Sequence, residues 1–439
     1  MPVPRRLIAA LVAVSTLLAL SACAPAGNDS TSTGSDLVRV PEDASTIGEA
    51  VDRVAPGGLV IVGAGVYEEQ IVIDKPDVTL RGAARNDTVI DGGGVRPFGV
   101  VSIADGVRVE NLTVTGATFY GVLFTGLHDE NGPSAPTVDG YEKWDPEKFP
   151  PLQRFLVDHV TAYDNGLYGI YAFNSQNGVI RDSYASGSAD SGFYVGQCQN
   201  CGILVTGNVG ERSAVGFENA NASDSVVITG NRFSGNRIGM TLLSSYQEAF
   251  TPQRSNTVVG NVIVDNAGEQ TPAQADGAFA TGVGISGGVD NLLQRNLISG
   301  HARAGVLLSN TEDLPTRGTR LLDNSFTGNG VDVANLSASR TPAAGNCAAD
   351  GLTTAPADLA AQLAAACAGG TVPQAATTEL SGPTAPPGLS YLRVPAPRAQ
   401  PDLPQRSSYP RLPDTVDMPD VASIPLPDAQ LLAEWTGIR

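Results

Sequence analysis

GIYAFN (169–174), GFYVGQ (192–197), GFENAN (216–221) and GMTLLS (239–244) set the fold, because one pattern returns every 23 to 24 residues. A glycine is followed by a large apolar residue, and a polar residue closes the hexamer: Asn174, Gln197, Asn221 and Ser244. A second pattern leads each unit, an alternating apolar run ending in a polar turn residue. It reads Ile203 to Asn208, then Val226 to Asn231, with Ser183 at the same place one unit earlier. Short β-branched runs cut by Gly and Asn at a period in the low twenties describe a solenoid in which one repeat is one coil. Upstream the template fits Val107 to Asn111 and Gly121-Val122. Downstream it fits Gly260-Asn261, Gly284-Ile285, Arg295-Asn296, Gly305-Val306 and Asp323-Asn324. The wider gaps after Gly121 and Gly239 read as insertions into coils.

From about Leu37 to Leu336 the repeat resembles the right-handed parallel β-helix proteins of the pectin-lyase-like superfamily. The implied fold is all-β: a right-handed parallel β-helix with a short N-terminal helical cap, a C-terminal cap and a Pro-rich tail. The superfamily hosts lyases, epimerases, hydrolases, methylesterases and non-catalytic binding proteins, so the resemblance speaks to architecture before activity.

Residues 1–22 join Arg5-Arg6 to an apolar run from Leu7 to Leu20, as in a secretory signal. Leu20-Ser21-Ala22-Cys23 resembles the bacterial lipobox, which implies lipidation at Cys23 and an anchor on the outer side of the cytoplasmic membrane. Residues 23–37 then read as a flexible tether, 38–340 as the β-helix, 341–370 as the C-terminal cap and 371–439 as the tail. The formal charge is −18, and loss of the two arginines with the signal makes it −20. Such a surface repels phosphate backbones and argues against nucleic-acid partners. An anionic glycan requires a local basic patch or bridging Ca²⁺, whereas neutral glycans require neither. The chain is expected to be a monomer.

Ile47, Ala50, Val51 and Val54 share one helical face, with Ser45 as candidate N-cap. This helix covers the open end of the solenoid. The coils that follow it, with the Gly65-Val66-Tyr67-Glu68-Glu69 run, resemble the start of pectin methylesterases, but the acid and arginine pattern of that active site has no match. Once Cys23 is assigned to lipid, four cysteines remain in an oxidising compartment. Cys347 and Cys367 are expected to staple the C-terminal cap. Cys198 and Cys201 sit in a β-helix turn, where a structural disulfide, a metal site and free or redox-active thiols all stay open. Thirteen of the 30 prolines fall in the last 69 residues, which excludes regular helix or sheet for most of that segment. Its scattered apolar residues suit an extended path along the solenoid, with disorder as the alternative. Pro427 to Trp435 reads as one short helix.

Side chains alternate faces along a strand, so an inward residue after each marker glycine makes the next one point out. That outward stripe reads Tyr171, Tyr194, Glu218, Thr241, Ser286 and Leu307, and the preceding turns add Asp164, Asp190, Arg212 and Arg237. Aromatic faces for sugar rings beside a carboxylate and an arginine suit glycan binding and acid/base chemistry at a uronic acid or glycosidic bond. Glu218 is the candidate base, Arg237 and Arg212 the groups that neutralise a substrate carboxylate, and Asp190 the partner acid or Ca²⁺ ligand. The segments 125–152, 246–255 and 312–318 leave at the same corner and wall the stripe, the first bringing Tyr141 and Trp144. The mannuronan epimerases carry Tyr-Gly, an apolar residue and Asp-Pro-His on such a strand. Here Tyr168-Gly169-Ile170 resembles that start, but Tyr171-Ala172-Phe173 follows, without the acid or the histidine. His159 sits where other repeats have Asn208 and Asn231 and reads as part of that turn ladder rather than as a catalytic group. A second resemblance, to the periplasmic β-helix protein of copper-site maturation, implies a non-catalytic envelope scaffold; three His and three Met form no copper cluster. Two functions therefore stand: polysaccharide binding with possible lyase, epimerase or hydrolase action, and an assembly scaffold.

Overall fold

The computed structural model describes residues 34–130, 132–133, 145–273, 278–369, 373–406 and 408–437. The lipobox cysteine Cys23, the signal, and the loop residues Tyr141 and Trp144 lie outside them. Three parallel sheets of twelve, ten and eleven strands run the length of the molecule, and each coil contributes one strand to each in turn. We call them sheets A, B and C in that order. This is the right-handed parallel β-helix the repeat implies. Val205, Ile228, Phe193, Phe217 and Met240 point into the continuous interior and are fully buried.

The marker glycines open the sheet C strands and stack in a column. A β-carbon on Gly216 would lie 2.6 Å from the carbonyl oxygen of Gly239, and one on Gly239 would lie 2.6 Å from that of Gly282. The glycine is therefore demanded by close approach of successive backbones. Asn174, Gln197 and Asn221, at the other end of these strands, adopt left-handed conformations with φ of 49°, 44° and 44° that turn the chain into sheet A.

Between sheets A and B an asparagine ladder binds the coils. Asn208 Nδ2 donates to Asn231 Oδ1, Asn231 to Asn261, Asn261 to Asn296 and Asn296 to Asn324, each at 2.9 Å. Ser183 continues it, its hydroxyl accepting from Val160 N–H at 3.1 Å. His159 is not a rung. It stands one residue earlier, in the left-handed corner at φ 55°, and its ring meets Asp158.

A second ladder, between sheets B and C, runs from Asn236 to Asn266 and reaches Asn329 through His301. Burial pushes the His301 imidazole down to about 4, with the hydrogen bond to Asn329 opposing. The unfolded chain takes up this proton near pH 6.5 and the folded chain does not, so stability present above that pH is lost as pH falls towards 4. The loss is on the order of 3 kcal/mol at most. His301→Asn, which restores the usual rung, should flatten the unfolding midpoint between pH 6.5 and 4. An unchanged slope in the variant would reject this assignment.

The caps differ from expectation in detail. Helix α1, Ile47–Arg53, is capped by Thr46, whose side chain accepts from Glu49 N–H; Ser45 instead bonds the Glu49 carboxylate. Helix α2, Leu359–Ala366, buries Leu359 and Leu363. It is tied back by the Cys347–Cys367 disulfide, and Cys198–Cys201 closes a turn with Cα atoms 5.3 Å apart. Both pairings agree with the cysteine count.

The Pro-rich tail lies along the solenoid. It pairs beside Ala344 at Pro373, passes Arg237 at Pro386 and Thr271 at Leu389, and reaches the first coils at Gln400 and Asp402, which bond Asn86 and Arg85. It then turns back, past Arg295 at Val421 and Arg232 at Ala429. The helix expected over Pro427 to Trp435 is only a 3-10 turn at Ala433–Trp435. Among the described residues no helix is long and apolar enough to cross a membrane.

Candidate functional site

The outer face of sheet C carries the stripe, with one correction to its register. Tyr171 pairs with Tyr194, Tyr194 with Glu218 and Glu218 with Thr241, but Thr241 pairs with Gly284 and Gly284 with Leu307. The run Gly282-Val283-Gly284-Ile285 offers two glycine-apolar pairs, and the column uses the first. Ser286 therefore lies two residues beyond the stripe.

The upstream half of the stripe is not the solvated face the alternation suggests. Tyr171 and Tyr194 are 2% and 1% exposed and Glu218 8%. The two tyrosines, together with Tyr120, Tyr168 and Phe173, build a second aromatic cluster outside the solenoid core. The rings of Tyr171 and Tyr194 meet edge to face at 4.8 Å, and Tyr168 lies 4.6 Å from Tyr194. Such contacts add roughly 0.5–1.5 kcal/mol per pair beyond area burial.

The loop after the strand Ile238–Leu243 presses on this cluster through Glu248, whose carboxylate accepts from the Tyr194 hydroxyl at 2.5 Å. Burial pushes the Glu248 carboxyl up to about 8, opposed by that hydrogen bond, and its second oxygen has no hydrogen-bond partner. Gln197 and Asn221 anchor the loop through Ala249 N–H and the carbonyls of Ser245 and Glu248. Tyr246 reaches the next loop at Asp313, 2.6 Å away. These two insertions do form a wall at one corner. Period counting singled out neither Glu248 nor its contact, since an insertion has no register.

Glu218 accepts from Ser191 Oγ at 2.8 Å, and the same hydroxyl lies 3.3 Å from Asp190. The expected arginines are turned elsewhere. Arg237 bonds Thr271 and the carbonyl of Pro386, and Arg212 bonds Tyr184, Glu211 and the carbonyl of Gly437. Both serve the docked tail.

Downstream of Glu218 the face opens into a cleft of about 460 Å³, lined by Thr241, Leu243, Ser244, Gly284, Arg303 and Leu307 among others. That is the size of an ordinary small-ligand site.

The molecule thus belongs structurally with the right-handed parallel β-helix proteins. The family profile described as "Periplasmic copper-binding protein (NosD)" matches residues 90–274. Solved structures with similar architecture include the A-module of Azotobacter vinelandii mannuronan C-5 epimerase AlgE6, at 17% identity over 68% of this chain and 80% of that one, with a TM-score of 0.45. An alginate lyase from Paenibacillus sp. str. FPU-7 aligns at 13% identity over 64% and 93%, with a TM-score of 0.45. Pectate lyase Pel9A aligns at 16% over 68% and 78%, with a TM-score of 0.41. No curated protein matches the chain.

Proposed function

We propose that this chain is an extracytoplasmic lipoprotein, anchored through Cys23, that binds polysaccharide along the outer face of sheet C. The observation that carries the reading is the open cleft on that face, which begins at Thr241, the strand neighbour of Glu218. Leu243 and Leu307 offer apolar surface to the faces of sugar rings, and hydroxyls from Thr241, Ser244, Ser245, Ser286, Ser309 and Thr311 around the cleft match the hydrogen-bonding surface of a glycan. Glu218, one coil from the cleft and joined to Asp190 by Ser191, is the group placed to take or give a proton on a bound chain.

Copper, named in the description of the matching family, finds a poor donor set among the described residues. The one grouping of three possible ligands is Asp158, His159 and Asp182. Asp158 already accepts from Arg181 at 2.6 Å and from Arg406 at 2.5 Å, and its other oxygen faces His159 at 2.7 Å. Burial works to raise the Asp158 carboxyl, but bonds from His159 and Arg181 prevail and hold it at about 2. A hard, cation-saturated carboxylate does not suit copper.

The test uses protein purified from membranes, where the anchored form partitions into detergent, on an array of envelope and plant polysaccharides. A β-carbon on Gly284 would meet only Thr241 Cγ2 at 3.8 Å and Met240 O at 4.0 Å. Gly284→Tyr therefore fills the cleft without disturbing the fold. We expect an unchanged unfolding midpoint and at least about tenfold weaker glycan binding. Glu218→Gln should leave binding within a few fold and abolish any turnover. No binding by the parent protein, or full binding by Gly284→Tyr, rejects the reading.

A further inference from the structure

The chain holds 45 acidic against 27 basic residues, and among the described residues that line the cleft Arg303 is the one that carries a charge. Arg303 belongs to a column that the sequence does display. Ala304 pairs with Thr281, Thr281 with Ile238, Ile238 with Val215 and Val215 with Ser191. The residues just before them, Arg303, Ala280, Arg237, Ala214 and Asp190, therefore share one turn position, two residues ahead of each column glycine. Arg237 spends its guanidinium on the tail, whereas Arg303 keeps its own at the cleft.

Two contacts hold Arg303 there. Its Nε donates to the carbonyl of Phe279 at 2.9 Å. On its other side the tail passes at Gly382, where a β-carbon would lie 3.1–3.2 Å from Arg303 Nε, Cβ and Cγ. The neighbouring Leu380 packs on the Ala304, Leu307 and Ala334 cluster that floors this end of the cleft. The two terminal guanidinium nitrogens make no hydrogen bond or ion pair to any described residue. A planar fork fixed at its base and free at its tip is suited to a carboxylate, sulfate or phosphate oxygen pair.

Resting on the polysaccharide reading above, we propose that Arg303 makes the cleft select glycans carrying an anionic group, and that the tail at Gly382 is a positioning wall of that site. In an acidic protein this selectivity comes from a local cation, since the net field opposes an anionic chain.

Calorimetric titration of the full chain compares oligomers of a uronic acid, a sulfated sugar and a neutral sugar of equal length at low and moderate salt. The expected result is tighter binding of an anionic oligomer, weakened by salt. It should fall at least about tenfold in Arg303→Gln and less in Arg303→Lys, which keeps the charge but not the fork. Gly382→Val, which pushes the arginine from its seat, should lower anionic binding and leave the neutral oligomer unaffected. The uronate and sulfate arms identify which anion is taken. If oligomers bind in a Gly284-dependent way but Arg303→Gln retains anionic affinity, or if the neutral oligomer binds as tightly, this inference falls and the polysaccharide reading survives. If no oligomer binds, both fall.

Discussion

Arg85→Met is expected to lower stability by about 3–5 kcal/mol and to release the C-terminal segment to protease. Arg85 is 1% exposed, and its guanidinium spans several coils. Nε donates to Thr161 Oγ1 at 2.8 Å, one terminal nitrogen to the carbonyl of Val160 at 2.9 Å, and the other to the carbonyls of Asp182 and Pro401 at 3.1 and 3.0 Å. Its backbone N–H donates to the Asp402 carboxylate at 2.6 Å. Burial pushes the guanidinium down to about 9, with Asp182 and Asp402 opposing, so it is cationic at neutral pH. Methionine fills comparable volume but takes the donor from the part-buried carbonyls of Asp182 and Pro401 and from the Thr161 hydroxyl, each costing about 1–3 kcal/mol, while the Val160 carbonyl keeps the Tyr184 N–H. Arg85→Lys should recover only part of the loss, because one ammonium cannot serve acceptors in several directions. The measurements are the thermal midpoint and the rate of limited proteolysis between residues 373 and 406. A midpoint within a degree of the parent, with unchanged cleavage, would show that the tail docks without this clamp.

How much of this was open to sequence reading depends on whether a constraint repeats. Gly169, Gly192, Gly216 and Gly239 are legible because each coil brings a neighbour's carbonyl against the same atom, so the requirement returns with the period. Asn208, Asn231 and Asn261 are legible for the same reason, each rung needing the next. The period misleads where it is locally degenerate, at Gly282 and Gly284, and by one residue at His159, where an αL corner and a ladder rung are adjacent. The position of Arg303 was legible too, two residues before Gly305 as Arg237 is before Gly239. The burial of Tyr171 and Tyr194 was not legible. At Tyr194 it comes with Glu248 and its loop, whose place over the stripe is set by Gln197 and Asn221 in three dimensions. Nor did the sequence show that Arg212 and Arg237 serve the tail, since contacts at sequence separations of 225 and 149 residues carry no periodic trace. Hydrophobic patterning fixes which face of a strand is inward. It says nothing of what a later segment lays over the outer face.

Asn231→Ala should be the most damaging single change within the repeat itself, with a cost on the order of 3–5 kcal/mol. Asn231 Oδ1 accepts from both the N–H and the side chain of Asn208 at 2.9 Å. Its Nδ2 donates back to the carbonyl of Val205 at 3.0 Å and on to Asn261 at 2.9 Å. All of these groups are buried, so alanine strands donors on one side and acceptors on the other with no water to replace the amide. Solenoid stability is close to a sum over neighbouring coils, and the lost rung weakens two coil interfaces at once. Serine provides an internal control. Ser183 fills the equivalent place one coil before Asn208, accepting from Val160 N–H and donating to the carbonyl of Arg181 at 2.8 Å. Asn231→Ser should therefore cost clearly less than Asn231→Ala. Asn324, the terminal and partly exposed rung, makes its upstream bonds only to Asn296 and the carbonyl of Leu293, and Asn324→Ala should cost the least of the three. Chemical denaturation of the three variants reads the order directly, and hydrogen exchange at the Asn208 and Asn231 amides reads its origin. Equal losses for all three would mean that the stacked apolar core carries the coils and the ladder only decorates the turn.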